Sequence, residues 1–232
     1  MQTGLSLQNR LIQNWLAMLS EAEPASSLIE THISWVLLSG QYAYKIKKAL
    51  HTDFLDYSDP GMRRFYCREE IRLNRRTAPD IYLDVVQIGG TLHTPSLSSG
   101  PVLEYAVKMR QFDIDKQLDH LLEKNHLTQE HIDSLSDAIS NFHLLLLQSY
   151  EQEEPSRFGS PEFVLERMLE NLRELKVLLV KPDDLTLWEE LKQSQLHEFT
   201  LERDKLENRE KNGFVRECHG DMHMGNLVVV NG

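Results

Sequence analysis

Tyr42-Ala43-Tyr44-Lys45-Ile46-Lys47 alternates without a break. Successive side chains of a strand point to opposite sides, so Tyr42, Tyr44 and Ile46 share one face and Ala43, Lys45 and Lys47 the other. Just upstream, Ile33-Ser34-Trp35-Val36-Leu37-Leu38 is apolar and β-branched, and Ser39-Gly40-Gln41 supplies a hairpin turn between the two runs. Downstream, Ser58-Asp59-Pro60 combines a capping oxygen, an early acid and a first-turn proline. A helix starts there and ends before Pro79. Two further strands follow, Ile81 to Ile88, closed by Gly89-Gly90, and Val102 to Met109 after the Ser/Gly/Pro-rich residues 95–101. Ahead of all these, Leu7, Leu11, Trp15, Met18 and Leu19 mark the stripe of an amphipathic helix.

Beyond Asp113 the texture changes. Leu118, Leu121 and Leu122 give one helical stripe, and Ile132, Leu135, Ile139, Phe142 and Leu146 another. Ser160-Pro161 opens a third helix, and residues 183–211 read as a long, highly charged one that stops at Gly213. Residues 215–231 revert to strand and loop, with Leu227-Val228-Val229-Val230 as a buried strand. A strand-rich front and a helix-rich back make an α+β chain of two lobes: residues 1–109, an N-terminal helix plus a small antiparallel sheet, and residues 110–232, mainly helical.

Charge and composition narrow the classes. With 25 basic against 36 acidic residues, the net charge of −11 repels nucleic acid and anionic membranes at long range. Two cysteines are too few for a disulfide framework and fit a reducing cytoplasm. The longest aliphatic run, Leu144 to Leu147, is far short of a membrane span. The expectation is a soluble, cytoplasmic protein that binds neither nucleic acid nor membrane.

The chemistry concentrates in His219-Gly220-Asp221-Met222-His223-Met224-Gly225-Asn226. An Asp followed five residues later by an Asn suits phosphoryl transfer. A carboxylate beside an acceptor hydroxyl takes its proton, and a carboxamide on the same loop holds a metal that neutralises phosphates. Its companions lie upstream. Ala43-Tyr44-Lys45 has a small residue two before a lysine, with Lys47 on the same strand face as the fallback. On the following helix, Met62, Tyr66, Glu70 and Leu73 form one stripe, so Glu70 points inward and Glu69 does not. An acid on an apolar stripe needs a partner. Lys45 is one candidate; Asn74 or Arg63, within the helix, is the other. The run Arg63, Arg64, Arg68, Arg72, Arg75 and Arg76 winds around several faces and reads mostly as solvated surface where an anion is able to dock.

These residues together resemble the aminoglycoside phosphotransferase/choline-kinase-like group of the protein-kinase-like fold. More narrowly, Glu30-Thr31-His32-Ile33-Ser34, Tyr44-Lys45-Ile46-Lys47-Lys48, Phe54-Leu55-Asp56-Tyr57 and Leu73-Asn74-Arg75-Arg76 look like an uncharacterised bacterial subfamily of it. The resemblance runs from about residue 25 onward. It implies ATP and Mg2+ as cofactors and a small-molecule hydroxyl as acceptor. It further implies Asp221 as catalytic base, His219 as brace of the catalytic loop and Asn226 as magnesium ligand. Lys45 would hold phosphate with Glu70 as its ion-pair partner, and Met109 and Arg110, opening the segment to Phe112, would form the hinge beside the adenine.

Two departures stand out. No Gly-x-Gly-x-x-Gly precedes the lysine strand, so Glu30 to Ser34 is expected to cover the phosphates. A second metal-binding acid on a returning strand is also missing; the chain stops at Asn231-Gly232, a hairpin-turn dipeptide. The 232 residues therefore read as a C-terminally truncated piece whose last strand offers an apolar edge for self-association. A nucleotide-binding protein without turnover remains open as an alternative. So does a metallophosphoesterase built on His219, Asp221 and His223.

Overall fold

A computed structural model describes residues 4–52, 55–97, 99–149 and 157–230. Phe54 and the Asn231-Gly232 turn lie outside the described residues. By contacts the chain forms two compact units, Met1–Ala138 with Asp221–Gly232, and Ile139–Gly220. The lobe boundary expected at 109/110 falls inside the first of them.

The first unit is built on a six-stranded antiparallel sheet. Its strands are β1 (Ser27–Glu30), β2 (Ser34–Ser39), β3 (Tyr42–Lys47), β6 (Tyr82–Gly90), β7 (Pro95–Leu97) and β8 (Val102–Arg110), in the order β1-β2-β3-β8-β6-β7. A separate ribbon pairs β4 (His51–Thr52) with β5 (Leu55–Asp56). The alternation of Tyr42–Lys47 decides what covers each face. Tyr44 and Ile46 join Trp35, Leu37, Ile88 and Ala106 under α1 (Gly4–Ala22), which contributes Leu11, Ile12 and Trp15. On the other side Ala43, Val107 and Met109 pack with Cys67 and Ile71 of α2 (Pro60–Asn74). Asp59 caps α2, its carboxylate accepting from the Gly61 and Met62 amides, and Pro60 opens it.

β1 carries no strand signal strong enough to read from four residues. It pairs with β2, Glu30 opposite Trp35, so the segment expected to cover phosphates is the tip of a hairpin. Thr31 closes that tip through its own Oγ1, which accepts from the Ser34 amide at 2.9 Å, while the Thr31 amide donates to the Ser34 carbonyl at 2.9 Å. The Glu30 carboxylate is taken by Lys48 at 2.6 Å.

A buried polar network ties the elements together. Glu104 of β8 receives the Arg63 guanidinium from α2, with Nη2 at 2.8 Å, and the Gln8 amide from α1 at 2.8 Å. Arg63 also donates to the Tyr57 and Ser58 carbonyls, and Gln8 bridges the Lys47 carbonyl and the Ala49 amide just beyond β3. Arg63 is thus 5 % exposed, a correction to the solvated surface expected of the arginine run. Its charge is matched inside, as a buried guanidinium must be.

A second correction concerns the end of the chain. Leu227–Val230 is no buried strand: Val228 alone forms a bridge, to Gln117, and Val230 is exposed. The Leu118 amide donates to the Leu227 carbonyl and the Val229 amide to the Lys116 carbonyl. The segment therefore has a short partner in the turn before α3 (Leu118–Glu123), and Val228 packs against the Ala43–Met109 core.

α4 (Gln129–Ser149) begins in the first unit and ends in the second, which also holds α5 (Pro161–Leu178) and α6 (Pro182–Lys211). Ser160 caps α5, accepting from the Phe163 amide. α5 and α6 meet at Trp188, buried, whose indole donates to the Leu172 carbonyl at 2.8 Å. The stripe expected on α4 forms, but only Phe142 of it is buried, and Ile132 is exposed. His143, beside the leucines of α4, is exposed as well.

Candidate functional site

β3 and α2 bring three charged side chains together. The Lys45 Nζ lies 2.8 Å from Glu70 Oε1, and the Lys47 Nζ 2.7 Å from Glu70 Oε2. Lys45 and Lys47 are two residues apart on one strand face, so one carboxylate nearly three turns into α2 serves both. Their settings differ. The Lys47 side chain is 7 % exposed and lies over the Tyr57 ring, whereas that of Lys45 is 31 % exposed. Burial alone would push the Glu70 carboxyl up, but the two lysines outweigh it and hold it below the usual glutamate value. Burial likewise pulls Lys47 down, and Glu70 more than restores it, so its ammonium persists above the usual lysine range. The helix-internal partners weighed for Glu70 are engaged elsewhere: Arg63 meets Glu104, and the Asn74 amide donates to the Glu70 backbone carbonyl at 2.9 Å.

At the end of β8, Met109 is buried opposite Ala43, and Arg110, opposite Tyr42, is exposed. The segment beyond is anchored to β3 by Gln111, whose amide donates to the Gln41 carbonyl and whose side chain donates to the Tyr42 carbonyl.

The acidic loop lies in the same unit. The Asn226 Nδ2 donates to the Asp221 carbonyl and to Asp221 Oδ2, both at 2.9 Å, and lies 3.0 Å from His223 Nε2. The five-residue spacing thus closes the loop on itself and leaves the Asp221 side chain 77 % exposed. Gln117 fastens the loop from outside, its amide donating to the Gly225 carbonyl at 2.8 Å. Gly225 sits at close quarters: a Cβ there would stand 3.1 Å from Asp119 Oδ2 and 3.2 Å from the His223 ring, so those side chains would have to give way. Gly220 has φ +79°, which favours glycine. His219, half-buried, belongs to the second unit.

Sequence reasoning missed Gln117 and Asp119 as neighbours of this loop. Neither carries a local signal, because each meets the loop from about a hundred residues away. Among the described residues no three histidine, cysteine or acidic side chains assemble as a metal-holding group. The His223–Asp221 contact, at 3.8 Å, remains a pair. The Asn226 amide nitrogen is spent on Asp221, which leaves its oxygen as a neutral donor of the kind a hard cation takes.

No protein-family model matches the chain, and no solved structure matches it. It is 27 % identical over 214 residues to uncharacterised proteins of Mycobacterium bovis and of two Mycobacterium tuberculosis strains. The match takes in 90 % of this chain but 40 % of each relative. The chain therefore spans well under half the length of the curated relatives it matches. No helix among the described residues is long and apolar enough to cross a membrane.

Proposed function

We propose that this chain is the nucleotide-binding and catalytic-loop part of an ATP-dependent small-molecule phosphotransferase with a two-lobed, protein-kinase-like fold, working in the cytoplasm. The observation that carries the reading is the Lys45–Glu70 ion pair, joining strand to helix at 2.8 Å in a unit that also contains the Asp221–Asn226 loop. In this reading Lys45, the more exposed lysine, turns to the nucleotide phosphates, and Lys47 keeps Glu70 neutralised when it does. Ala43, Met109 and Val228, packed together, line the base, with Arg110 at the hinge. Asp221 takes the proton of the acceptor hydroxyl as the γ-phosphate passes in line, and His219 braces the loop. Mg2+, held in part by the Asn226 oxygen, would neutralise phosphate charge.

The test uses a protein of the relatives' full length. Asp221→Asn is expected to lower phosphoryl transfer by about 100-fold or more, the scale of general-base catalysis. Affinity for Mg-ATP is expected to stay within about threefold, because nucleotide binding rests on the hinge, Lys45 and the metal. Comparable turnover in mutant and wild type removes Asp221 from the mechanism. Nucleotide binding without turnover in the wild type favours the binding protein over the enzyme.

A further inference from the structure

Four arginines of this acid-rich chain pair with carboxylates. Arg63 meets Glu104, Arg72 meets Glu69, Arg167 meets Glu170, and Arg203 meets both Glu162 and Glu207. Among the described residues no carboxylate lies within ion-pair distance of Arg64 or Arg68, and these two share one groove. They stand one helical turn apart on α2, on the row that continues to Ile71, and line a groove of about 200 Å3 against β6 and β8. Tyr105, Gln87 and Asp84 complete its polar lining, with Ile71 and Val85 as the apolar part. Lys45, Glu70 and the acidic loop take no part in it.

The chemistry of that lining is specific. The Arg64 guanidinium lies over the Tyr105 ring, its carbon 5.4 Å from the ring centre, which fixes the fork while leaving its edge donors available. Two arginines lining one groove offer paired N–H donors of the kind a phosphoryl group's oxygens accept. Asp84 sets a further condition. A bulge between Tyr82 and Asp84 interrupts the β6–β8 register, and Asp84 Oδ1 accepts the Val85 amide at 2.8 Å. Its carboxylate repels a bare dianion but accepts from a hydroxyl. The groove holds about seven waters' share of liquid volume, room for a phosphoryl group and a short polyol stub.

We propose that this groove binds a small hydroxylated phosphomonoester, with Arg64 and Arg68 on the phosphoryl oxygens and Asp84 accepting a ligand hydroxyl. The site is independent of the phosphotransferase reading. A ligand there would bridge α2, the helix that carries Glu70, to β6 and β8.

Isothermal titration of the 232-residue chain at constant ionic strength tests it, with glycerol 3-phosphate, phenyl phosphate and inorganic phosphate as probes. Glycerol 3-phosphate is expected to bind one-to-one and about tenfold more tightly than either other probe, as a site with both a guanidinium pair and a hydroxyl acceptor requires. Arg64→Gln with Arg68→Gln is expected to weaken it about tenfold or more, and Lys45→Met to leave it unchanged. In the wild type, NMR is expected to show two arginine Nε–Hε signals shifting on saturation, a reading that needs no variant to fold. Absence of saturable binding, unchanged affinity in the double variant, loss in Lys45→Met, unmoved arginine signals, or preference for inorganic phosphate would each overturn the assignment.

Discussion

Glu70 stands between two ammonium groups of unequal exposure, and that inequality has measurable consequences. Removing Lys47 strips a nearly dry partner from a carboxylate that is itself 11 % exposed, whereas removing Lys45 leaves the drier pair intact. Lys47→Met is expected to cost about 3 kcal/mol, the low end for breaking a buried ion pair. Lys45→Met should cost about 1 kcal/mol or less, as for pairs that water reaches. Urea unfolding of both variants checks the order, and equal losses would contradict it. The lowered Glu70 pKa adds a pH signature. A carboxyl depressed in the folded state contributes stability above its unfolded pKa and loses it as the pH falls through the folded one. The advantage of wild type over Glu70→Gln is therefore expected to hold at neutral pH and to shrink below about pH 4.3. Cysteine gives a simpler contrast. Burial pushes the Cys67 thiol up to about 12, while Cys218 is exposed. A thiol reagent at about pH 8 should modify Cys218 alone in the folded chain and both after unfolding, as mass spectrometry would count. Lys45 was legible through strand alternation, but the helix stripe read for Glu70 was offset by one residue: the buried row of α2 is Arg63, Cys67 and Ile71, and Met62 is exposed. Glu104 was not legible: one acid in an apolar strand reads as solvent-facing until Arg63 and Gln8, at separations of 41 and 96 residues, are seen to meet it.

Among the elements, those with punctuation were readable and those held by distant partners were not. Ser58-Asp59-Pro60 placed the start of α2, and the Asp59 carboxylate does cap it. Asp59→Ala is expected to lower stability by about 1 kcal/mol, the usual worth of such a cap, seen as a drop in melting temperature. β1 escaped notice because four residues carry too little pattern; its strand character comes from pairing with β2. Leu227–Val230 misled in the opposite direction, since an apolar run predicts a buried strand wherever neighbours exist to bury it, and here a bridge to Gln117 is its one strand pairing among the described residues. α1 was legible as an amphipathic helix, but its polar anchor was not. Gln8 sits on the inward face and meets β3, the turn just beyond it and β8, a role that depends on where the helix docks rather than on its own sequence. Gln8→Ala leaves the Lys47 carbonyl, the Ala49 amide and a Glu104 oxygen short of partners. Unmade buried hydrogen bonds of this kind cost about 1–3 kcal/mol, so chemical unfolding should register a larger loss than for Asp59→Ala.

At the scale of the molecule, periodicity tells which side of a helix is apolar and not what covers it. Leu144, Leu145 and Leu147 on α4, and Val177 and Leu178 at the end of α5 with Val180 just beyond it, are all exposed. The same distinction separates the parts of the proposed catalytic machinery. The Lys45–Glu70 pair is complete within the first unit, but the acidic loop supplies only an Asp221 carboxylate and an Asn226 carboxamide that are already bonded to each other. Magnesium demands six oxygen ligands in near-ideal geometry and favours carboxylate and phosphate donors. In the proposed reading Asn226 would have to turn its oxygen to the metal while Asp221 stays at the acceptor, and no group of three histidine, cysteine or acidic side chains stands ready among the described residues. Under the proposed reading, Mg2+ would add little to ATP binding by these 232 residues. Removing it with a chelator is expected to change their ATP affinity by less than about threefold, whereas a protein of the relatives' length, if it completes the metal site, should lose about tenfold or more, the step that about 1.4 kcal/mol of metal-bridged contact represents. Parallel ATP titrations of the two chains, with magnesium and with chelator, decide the matter. A strong magnesium dependence in the 232-residue chain would mean that Asp221 and Asn226 suffice, and that no second acid is needed to hold the nucleotide.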